Sequence, residues 1–233
     1  MILQGVQVLA EYSDGTMTIE PNEGTGQALV YDTNTRRMVC KLISYLLQYP
    51  DTAWREGLQG LKEAIQSISD ETVNQILLTF VDKAQAVNSI EWQDSYVRTF
   101  DFDKKCNLYL TYALHGDERD RGPALIELKR RYEAAGFYME VSELPDYLPM
   151  VLEFVAEAPE EDALGVLSSC HKALVTMTES ITGQNSPYGP LLSLMLQVIP
   201  EPPAPDVPKQ EEAANQQPED LMQIAAQMRR GNR

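Results

Sequence analysis

The sequence predicts an all-α protein, with a single helical-bundle domain of about eight helices. Three observations favour this fold. From about residue 35 the apolar residues recur with the three-to-four-residue spacing of amphipathic helices. No strand pattern follows, and the segments between the helices are mostly short. Hydrophobic residues make up 43% of the 233-residue chain, which is enough for a core and excludes disorder throughout.

The first 35 residues stand apart from this helical pattern. They carry five acidic residues and no Lys or Arg before Arg36, and apolar–polar alternations flank the turn-forming residues Ser13–Gly15. This pattern is typical of a hairpin, but an isolated hairpin is marginally stable. We therefore expect residues 1–35 to form an N-terminal extension, either a short hairpin or a disordered segment, with Met38 as an alternative start.

Four amphipathic helices are predicted in the first half of the domain, which we expect to cover residues 36–199. Pro50 ends the first helix, because the residue before a proline is disfavoured in a helix. The side chain of Asp70 caps the third helix. The apolar faces of the four helices run through Val39–Leu47, Trp54–Ile68, Val73–Ala84 and Trp92–Phe100.

The remaining helices are predicted after a basic break at Asp103–Lys105. Gly136 is placed as the residue just beyond a helix end, where a left-handed backbone is common. The predicted segments are Leu108–Leu114, Arg119–Ala135 and the approximate ranges 146–157, 160–182 and 187–199.

The composition changes again after the helical domain. Five prolines lie within residues 200–208, so residues 200–218 are predicted to form a stiff, extended linker. Residues 219–233 follow as a short amphipathic helix, with apolar residues at helical spacing from Leu221 to Met228. Because so short a helix is rarely stable alone, it either docks on its own domain or becomes ordered on a partner.

The charge of the chain limits its partners. Lys and Arg number 19 and Asp and Glu number 35, which gives a formal net charge of −16. Such a chain repels phosphates, so neither nucleic acid nor an anionic membrane is an expected partner. We expect a partner that is basic, or that has an apolar surface with a basic rim.

The sequence also predicts a cytoplasmic protein. It has no secretory signal pattern and no apolar run of roughly 18 residues, so no membrane insertion is expected. Its three cysteines are far apart and include no CxxC pair, so we expect neither a disulfide framework nor a metal site.

No catalytic constellation is evident, and we expect no enzymatic activity. His115 and Asp117 could be read as half of a metal site, but the other histidine, His171, brings no second ligand cluster. A polar turn explains the pair better. The competing hypothesis, a metal-dependent enzyme or nucleotide hydrolase, predicts stoichiometric metal or turnover that His115→Ala abolishes.

Five short motifs are more specific than helix formation requires. They are Tyr-Pro-Asp at Tyr49–Asp51, Y-x-x-x-F-D at Tyr96–Asp101, HGD-x-R-x-RG at His115–Gly122, Y-x-x-x-GF at Tyr132–Phe137 and ELPD-x-LP-x-x-LEF at Glu143–Phe154. In order and spacing, over about residues 38–200, they resemble the NarJ family. These are the assembly chaperones, or delta subunits, of respiratory nitrate reductase, within the TorD-like molybdoenzyme chaperones. Tyr147 departs from the pattern, since many relatives have His there.

The resemblance implies an all-helical chaperone that binds the catalytic alpha subunit of nitrate reductase. The family binds chiefly the N-terminal tail of that subunit, which looks like a remnant twin-arginine signal. It holds the apo-enzyme until the molybdenum guanine dinucleotide cofactor and an iron–sulfur cluster are inserted, and then releases it to its membrane subunit. The chaperone itself keeps no cofactor. Such a role belongs to nitrate assimilation and anaerobic respiration.

Two binding hypotheses compete with this one. The client could be another molybdoenzyme, of the dimethyl sulfoxide or trimethylamine oxide reductase type. The chain could also be a permanent structural subunit, which predicts copurification with the mature membrane enzyme. The oligomeric state is left open between a monomer and a dimer that exchanges helices.

A tail-binding chaperone needs an apolar groove with acidic groups around it. Four aromatic residues could supply amphipathic groove walls or could be ordinary core residues. These candidates for client binding are Tyr96, Phe100, Tyr109 and Tyr112.

The loop Glu143–Tyr147 supplies the other client-binding candidates, with Pro145 fixing its backbone. Asp146 is also well placed to cap the following helix. Glu143 has no such local task and is the better candidate for a basic residue of the client. Four further residues could contact the client or the phosphates of its cofactor, or form a salt-bridged helix start: His115, Asp117, Arg119 and Arg121.

Overall fold

A computed structural model describes residues 31–115, 121–139 and 143–200 of the chain. In these residues the chain forms nine α-helices, one short 3₁₀ helix and no strand, which confirms the all-α prediction. The extension before residue 31 and the predicted C-terminal linker and helix after Pro200 lie outside the described residues. The helices are α1 (Thr33–Leu46), α2 (Thr52–Gln66), α3 (Glu71–Ala86), α4 (Ser89–Phe100), α5 (Leu110–His115), α6 (Arg121–Ala134), α7 (Leu148–Glu157), α8 (Glu160–Gly183) and α9 (Gly189–Val198), with the 3₁₀ helix at Lys104–Cys106.

Short polar side chains begin the first four helices. Asp32 accepts hydrogen bonds from the backbone N–H groups of Asn34 and Thr35, so α1 begins at Thr33, before the predicted domain start at residue 36. Asp70 accepts one from Val73, as predicted, at the start of α3. Each cap satisfies a backbone donor that the helix itself leaves unpaired.

The helices are arranged around one buried apolar core. α1 packs most extensively against α7, and α8 contacts both α7 and α9. Burying one large apolar side chain contributes about 1.5–3 kcal/mol. Within this core, neighbouring aromatic rings have centroids 4.8 to 5.9 Å apart and form a cluster of Phe80, Trp92, Tyr96, Phe100 and Tyr188.

Polar contacts fix the position of α1 in the bundle. The hydroxyl group of Ser44 donates a hydrogen bond of 2.6 Å to the carbonyl oxygen of Pro149 in α7. Arg36 forms an ion pair with Glu160 at the start of α8, and Lys41 forms one with Glu157 at the end of α7. Because the Arg36 side chain is buried, removing its partner would leave a charge in the core.

Several helix bounds differ from the predictions by a few residues, and at two of them the predicted cause is wrong. The first helix ends at Leu46, so Pro50 follows the helix at a distance instead of ending it. α7 begins at Leu148, and no side chain caps it. Among the helices of the described residues, none is long and apolar enough to cross a membrane.

Candidate functional site

The segments at the starts of α5 and α7 are distant in sequence, but they lie side by side and are joined by backbone hydrogen bonds. The N–H of Leu110 donates to the carbonyl oxygen of Asp146 at 3.0 Å, and the N–H of Leu148 donates to that of Leu108 at 2.8 Å. Tyr109 and Tyr147 therefore lie opposite each other, with ring centroids 5.3 Å apart. We call this site the junction, defined by Tyr109, Tyr112, Glu143, Asp146 and Tyr147.

The buried side chain of Asp146 links the two segments of the junction. Its side chain is 0% exposed, and its Oδ2 atom accepts hydrogen bonds from both the N–H and the hydroxyl group of Thr111 in the first turn of α5. Nη2 of Arg121 lies 3.9 Å from the same oxygen, and Nε of Arg121 donates to the Thr111 hydroxyl at 3.2 Å. The prediction that Asp146 caps the helix after it is therefore wrong. Asp146 caps α5, which precedes it by about 30 residues.

Glu143 has a local task, contrary to the prediction. Its Oε1 atom accepts a hydrogen bond of 2.8 Å from the Tyr109 hydroxyl and one of 2.9 Å from the backbone N–H of Leu144. The pKa of Tyr109 is raised, first by partial burial and then by the Glu143 carboxylate. The Tyr109 hydroxyl therefore stays protonated and holds this carboxylate in a fixed position. The client-binding role of Glu143 stays a prediction.

Two positively charged side chains lie near the ring of Tyr112. Nζ of Lys104 lies 5.6 Å from the centre of its ring, and the guanidinium carbon of Arg121 lies 5.2 Å from it. Both distances suit cation–π contacts. Tyr112 is half-buried, so it stays a candidate contact residue.

Tyr96 and Phe100 lie in the core rather than on an open groove wall. Their side chains are 7% and 2% exposed, and both belong to the aromatic cluster. The Tyr96 hydroxyl donates to the carbonyl oxygen of Leu47 at 3.1 Å. Tyr49 is half exposed and packs edge-on against Tyr96, with ring centroids 5.4 Å apart. Tyr49 begins the Tyr-Pro-Asp motif but was not among the residues predicted to bind the client.

The other predicted residues are divided between the core and the parts of the chain that are not described. Pro145 is buried, and its carbonyl oxygen accepts a hydrogen bond of 2.8 Å from the Tyr132 hydroxyl. Asp117, Arg119 and the side chain of His115 lie outside the described residues. The structure thus brings Tyr109, Tyr112, Glu143, Asp146, Tyr147 and Arg121 together.

The arrangement is suited to binding rather than to covalent chemistry. Over residues 31–115, 121–139 and 143–200, no group of three or more His, Cys, Asp or Glu side chains is placed to hold a metal ion. Burial raises the pKa of Cys40 to about 12 and that of Cys170 to about 11, so these thiols stay protonated and weakly nucleophilic at neutral pH. The junction offers a fixed carboxylate, aromatic faces and hydroxyl groups.

Comparison with known proteins identifies the family that this chain matches. The family model described as nitrate reductase delta subunit matches residues 48–192. The chain is 36% identical over 168 residues to a probable nitrate reductase molybdenum cofactor assembly chaperone NarJ of Bacillus subtilis, covering 72% of this chain and 91% of that protein. It is 30% identical over 160 residues to the nitrate reductase molybdenum cofactor assembly chaperone NarJ of Escherichia coli K12, covering 67% of each.

Proposed function

Because the chain belongs to the nitrate reductase delta subunit family, we propose that it binds the N-terminal tail of the catalytic alpha subunit of a nitrate reductase. It is a molybdenum cofactor assembly chaperone for nitrate reductase, as its relatives are named. It holds the apo-enzyme in the cytoplasm while the molybdenum guanine dinucleotide cofactor and an iron–sulfur cluster are inserted. These names favour nitrate reductase over a dimethyl sulfoxide or trimethylamine oxide reductase as the client.

One observation carries the tail-binding step: the Tyr109 hydroxyl holds the Glu143 carboxylate beside the Tyr109–Tyr147 aromatic pair. A remnant twin-arginine tail carries guanidinium groups and apolar side chains. A carboxylate held in place can accept charge-assisted hydrogen bonds from a guanidinium group, and aromatic faces can stack on it. The junction thus offers both kinds of contact within one surface.

The charge of the whole chain supports the same proposal. A net charge of −16 attracts a basic tail over a distance and speeds encounter, without itself giving specificity. Salt screens this attraction but affects a partly buried pair at Glu143 less. Specific recognition is therefore assigned to the junction and not to the acidic surface in general.

The test is calorimetric titration of the full chain with a peptide that covers the N-terminal tail of the cognate alpha subunit. We expect Glu143→Gln to weaken binding about tenfold, because a charge-assisted hydrogen bond is worth roughly 1.5–3 kcal/mol. The amide of Gln can still accept the Tyr109 hydrogen bond, so the fold is retained.

Glu63→Gln is the matched control, since it removes the same charge at an exposed position of α2. This variant should change the affinity less than twofold. Equal losses in both variants, or binding of a peptide of shuffled sequence as tightly as the true tail, would overturn the proposal. Either result would indicate that the acidic surface attracts any basic peptide and that the junction does not recognise the sequence of the tail.

A further inference from the structure

The junction lies beside positive as well as negative charge, and the proposed function uses only the negative charge. The Tyr109 hydroxyl holds the Glu143 carboxylate in place. The ring of Tyr112 lies near two cations, with Nζ of Lys104 at 5.6 Å from its centre and the guanidinium carbon of Arg121 at 5.2 Å. Two cations beside one ring are a local exception in a chain with a net charge of −16.

One turn of the chain links the negative group to the positive ones. The N–H of Tyr112 donates a hydrogen bond of 3.0 Å to the carbonyl oxygen of Tyr109, so these two residues begin and end the turn. Residues three apart in a helical turn have Cβ atoms about 5–6 Å apart. The carboxylate held by Tyr109 and the cations beside Tyr112 are therefore near enough to contact two residues of the same peptide.

The backbone that carries Lys104 is held on both sides. Asp103 begins the 3₁₀ helix, since its side chain accepts a hydrogen bond of 2.9 Å from the N–H of Lys105. Cys106 ends that helix and is 0% exposed, and its Sγ atom donates to Oγ of Ser180 in α8 at 3.3 Å. The residue Lys104 itself is exposed, so its ammonium group is accessible to a ligand while its backbone is fixed.

The two cations differ in whether they already have partners. Arg121 is engaged, because its Nε atom donates to the Thr111 hydroxyl and its Nη2 atom lies 3.9 Å from the Asp146 carboxylate. In the part of the chain that the structure describes, Lys104 takes part in no ion pair. Lys104 is therefore the cation that can donate a charge-assisted hydrogen bond to a carboxylate of a ligand.

We propose that the junction is bipolar and recognises a tail segment that carries both a basic and an acidic residue. The guanidinium group of the basic residue contacts Glu143, and the carboxylate of the acidic residue contacts Lys104 beside Tyr112. Because the two contacts have opposite charge, they also fix the direction in which the segment lies, as complementary charges fix the register of a complex. The proposal rests on the proposed function, tail binding at the junction, and adds an acidic residue to what the tail must contain.

The test is calorimetric titration of variants of the full chain with the tail peptide of the cognate alpha subunit. Lys104→Gln should weaken binding about three- to fivefold, as the loss of an ion pair at an exposed position does. General attraction by an acidic surface predicts the opposite sign, because a protein with one positive charge fewer attracts a basic peptide more strongly.

Lys105→Gln is the matched control. It removes the same charge from the next residue, which is also exposed. Because Lys105 makes no contact with the ring of Tyr112 in the described part of the chain, this variant should bind the peptide as tightly as the unchanged chain or slightly more tightly.

Substituted peptides identify the residue that contacts Lys104. In this series each Asp of the tail is replaced by Asn and each Glu by Gln, one position at a time. One such peptide should bind the unchanged chain about three- to fivefold more weakly than the true tail does. The same peptide should bind Lys104→Gln as tightly as the true tail binds that variant, which is the coupling expected of two residues in contact.

Three results would overturn the bipolar junction. They are equal affinities of Lys104→Gln and Lys105→Gln, a tail without Asp or Glu, and a series in which no substituted peptide binds more weakly than the true tail. If Glu143→Gln still weakens binding in any of these cases, tail binding at the junction stands and only its bipolar character is lost. No binding of the true tail by the unchanged chain would overturn both proposals.

Discussion

Asp146 is buried, and its side chain stabilises a helix that lies about 30 residues before it. Asp146→Ala should lower the free energy of unfolding by about 3 kcal/mol, because Thr111 and Arg121 lose a buried, charged partner. Urea denaturation followed by circular dichroism measures this loss. Asp146→Asn should lose less, since the amide oxygen can still accept from Thr111.

Asp101→Ala is the control for that measurement. Asp101 is exposed beyond the end of α4, and substitutions at such positions usually change stability by about 0.5 kcal/mol or less. A loss in Asp146→Ala no larger than in the control would contradict the assignment of Asp146 as the cap of α5.

The buried thiols and phenols predict a loss of stability in alkali. Burial raises the pKa of Cys40 from 9.0 to about 12 and that of Cys170 to about 11, and it also raises the pKa of Tyr132. Above pH 9 the unfolded chain therefore binds fewer protons than the folded one, so stability falls as pH rises. The urea midpoint should stay nearly level between pH 7 and 8.5 and fall progressively between pH 9 and 12.

Cys40→Ala separates this effect from general alkaline damage. The variant is less stable at every pH because it leaves a cavity, but its midpoint should fall less steeply between pH 9 and 12. Parallel curves for the two proteins would contradict the contribution of the buried Cys40 thiol.

The sequence identified several junction residues but not their partners. Glu143 and Asp146 were selected from the loop motif, yet Tyr109 and Thr111, which hold them, are more than 30 residues away. Local patterns carry no information on such pairing. The same reason explains why Tyr96 was predicted to line a groove but lies in the core. Helical spacing identifies an inward-facing aromatic residue, but it does not show whether that residue faces a groove or the core.

The end of α6 gives a prediction at the level of a helix. Gly136→Ala should cost about 1 kcal/mol, because its φ of +85° is strained for any residue with a Cβ atom. Urea denaturation followed by circular dichroism measures this cost.

Gly183→Ala, in the last turn of α8, is the matched control. Apart from its chain neighbours, a Cβ atom at either glycine meets nothing within 4 Å, but only Gly136 has a positive φ. Gly183→Ala should be neutral or stabilising by a few tenths of a kcal/mol. Similar losses at both positions would contradict the role given to the left-handed turn.

The helices show what sequence patterns predict well. Apolar spacing and local caps such as Asp70 located the helices of the described residues, and Gly136 was correctly placed at a helix end. The start of α7 was misplaced because Asp146, a typical capping residue, is used by α5 instead. A capping residue can be predicted from the sequence when it directly precedes its helix. It cannot be predicted when the helix lies elsewhere in the sequence and meets the residue only in the folded protein.

At the scale of the whole molecule, the proposed function is a chaperone whose helical domain binds a basic client tail at the junction. A chaperone that bound the unfilled and the mature client equally would not shift the client toward completion. The proposed function therefore requires a difference between the two affinities.

The most direct test is to measure the affinity of the full chain for the alpha subunit without cofactor and with cofactor inserted. We expect binding to the cofactor-free form to be about 100-fold tighter, because such a ratio moves a two-state balance from roughly ten to one to one to ten. Equal affinities, with the chain retained on the mature membrane enzyme, would contradict the chaperone account and indicate a permanent subunit.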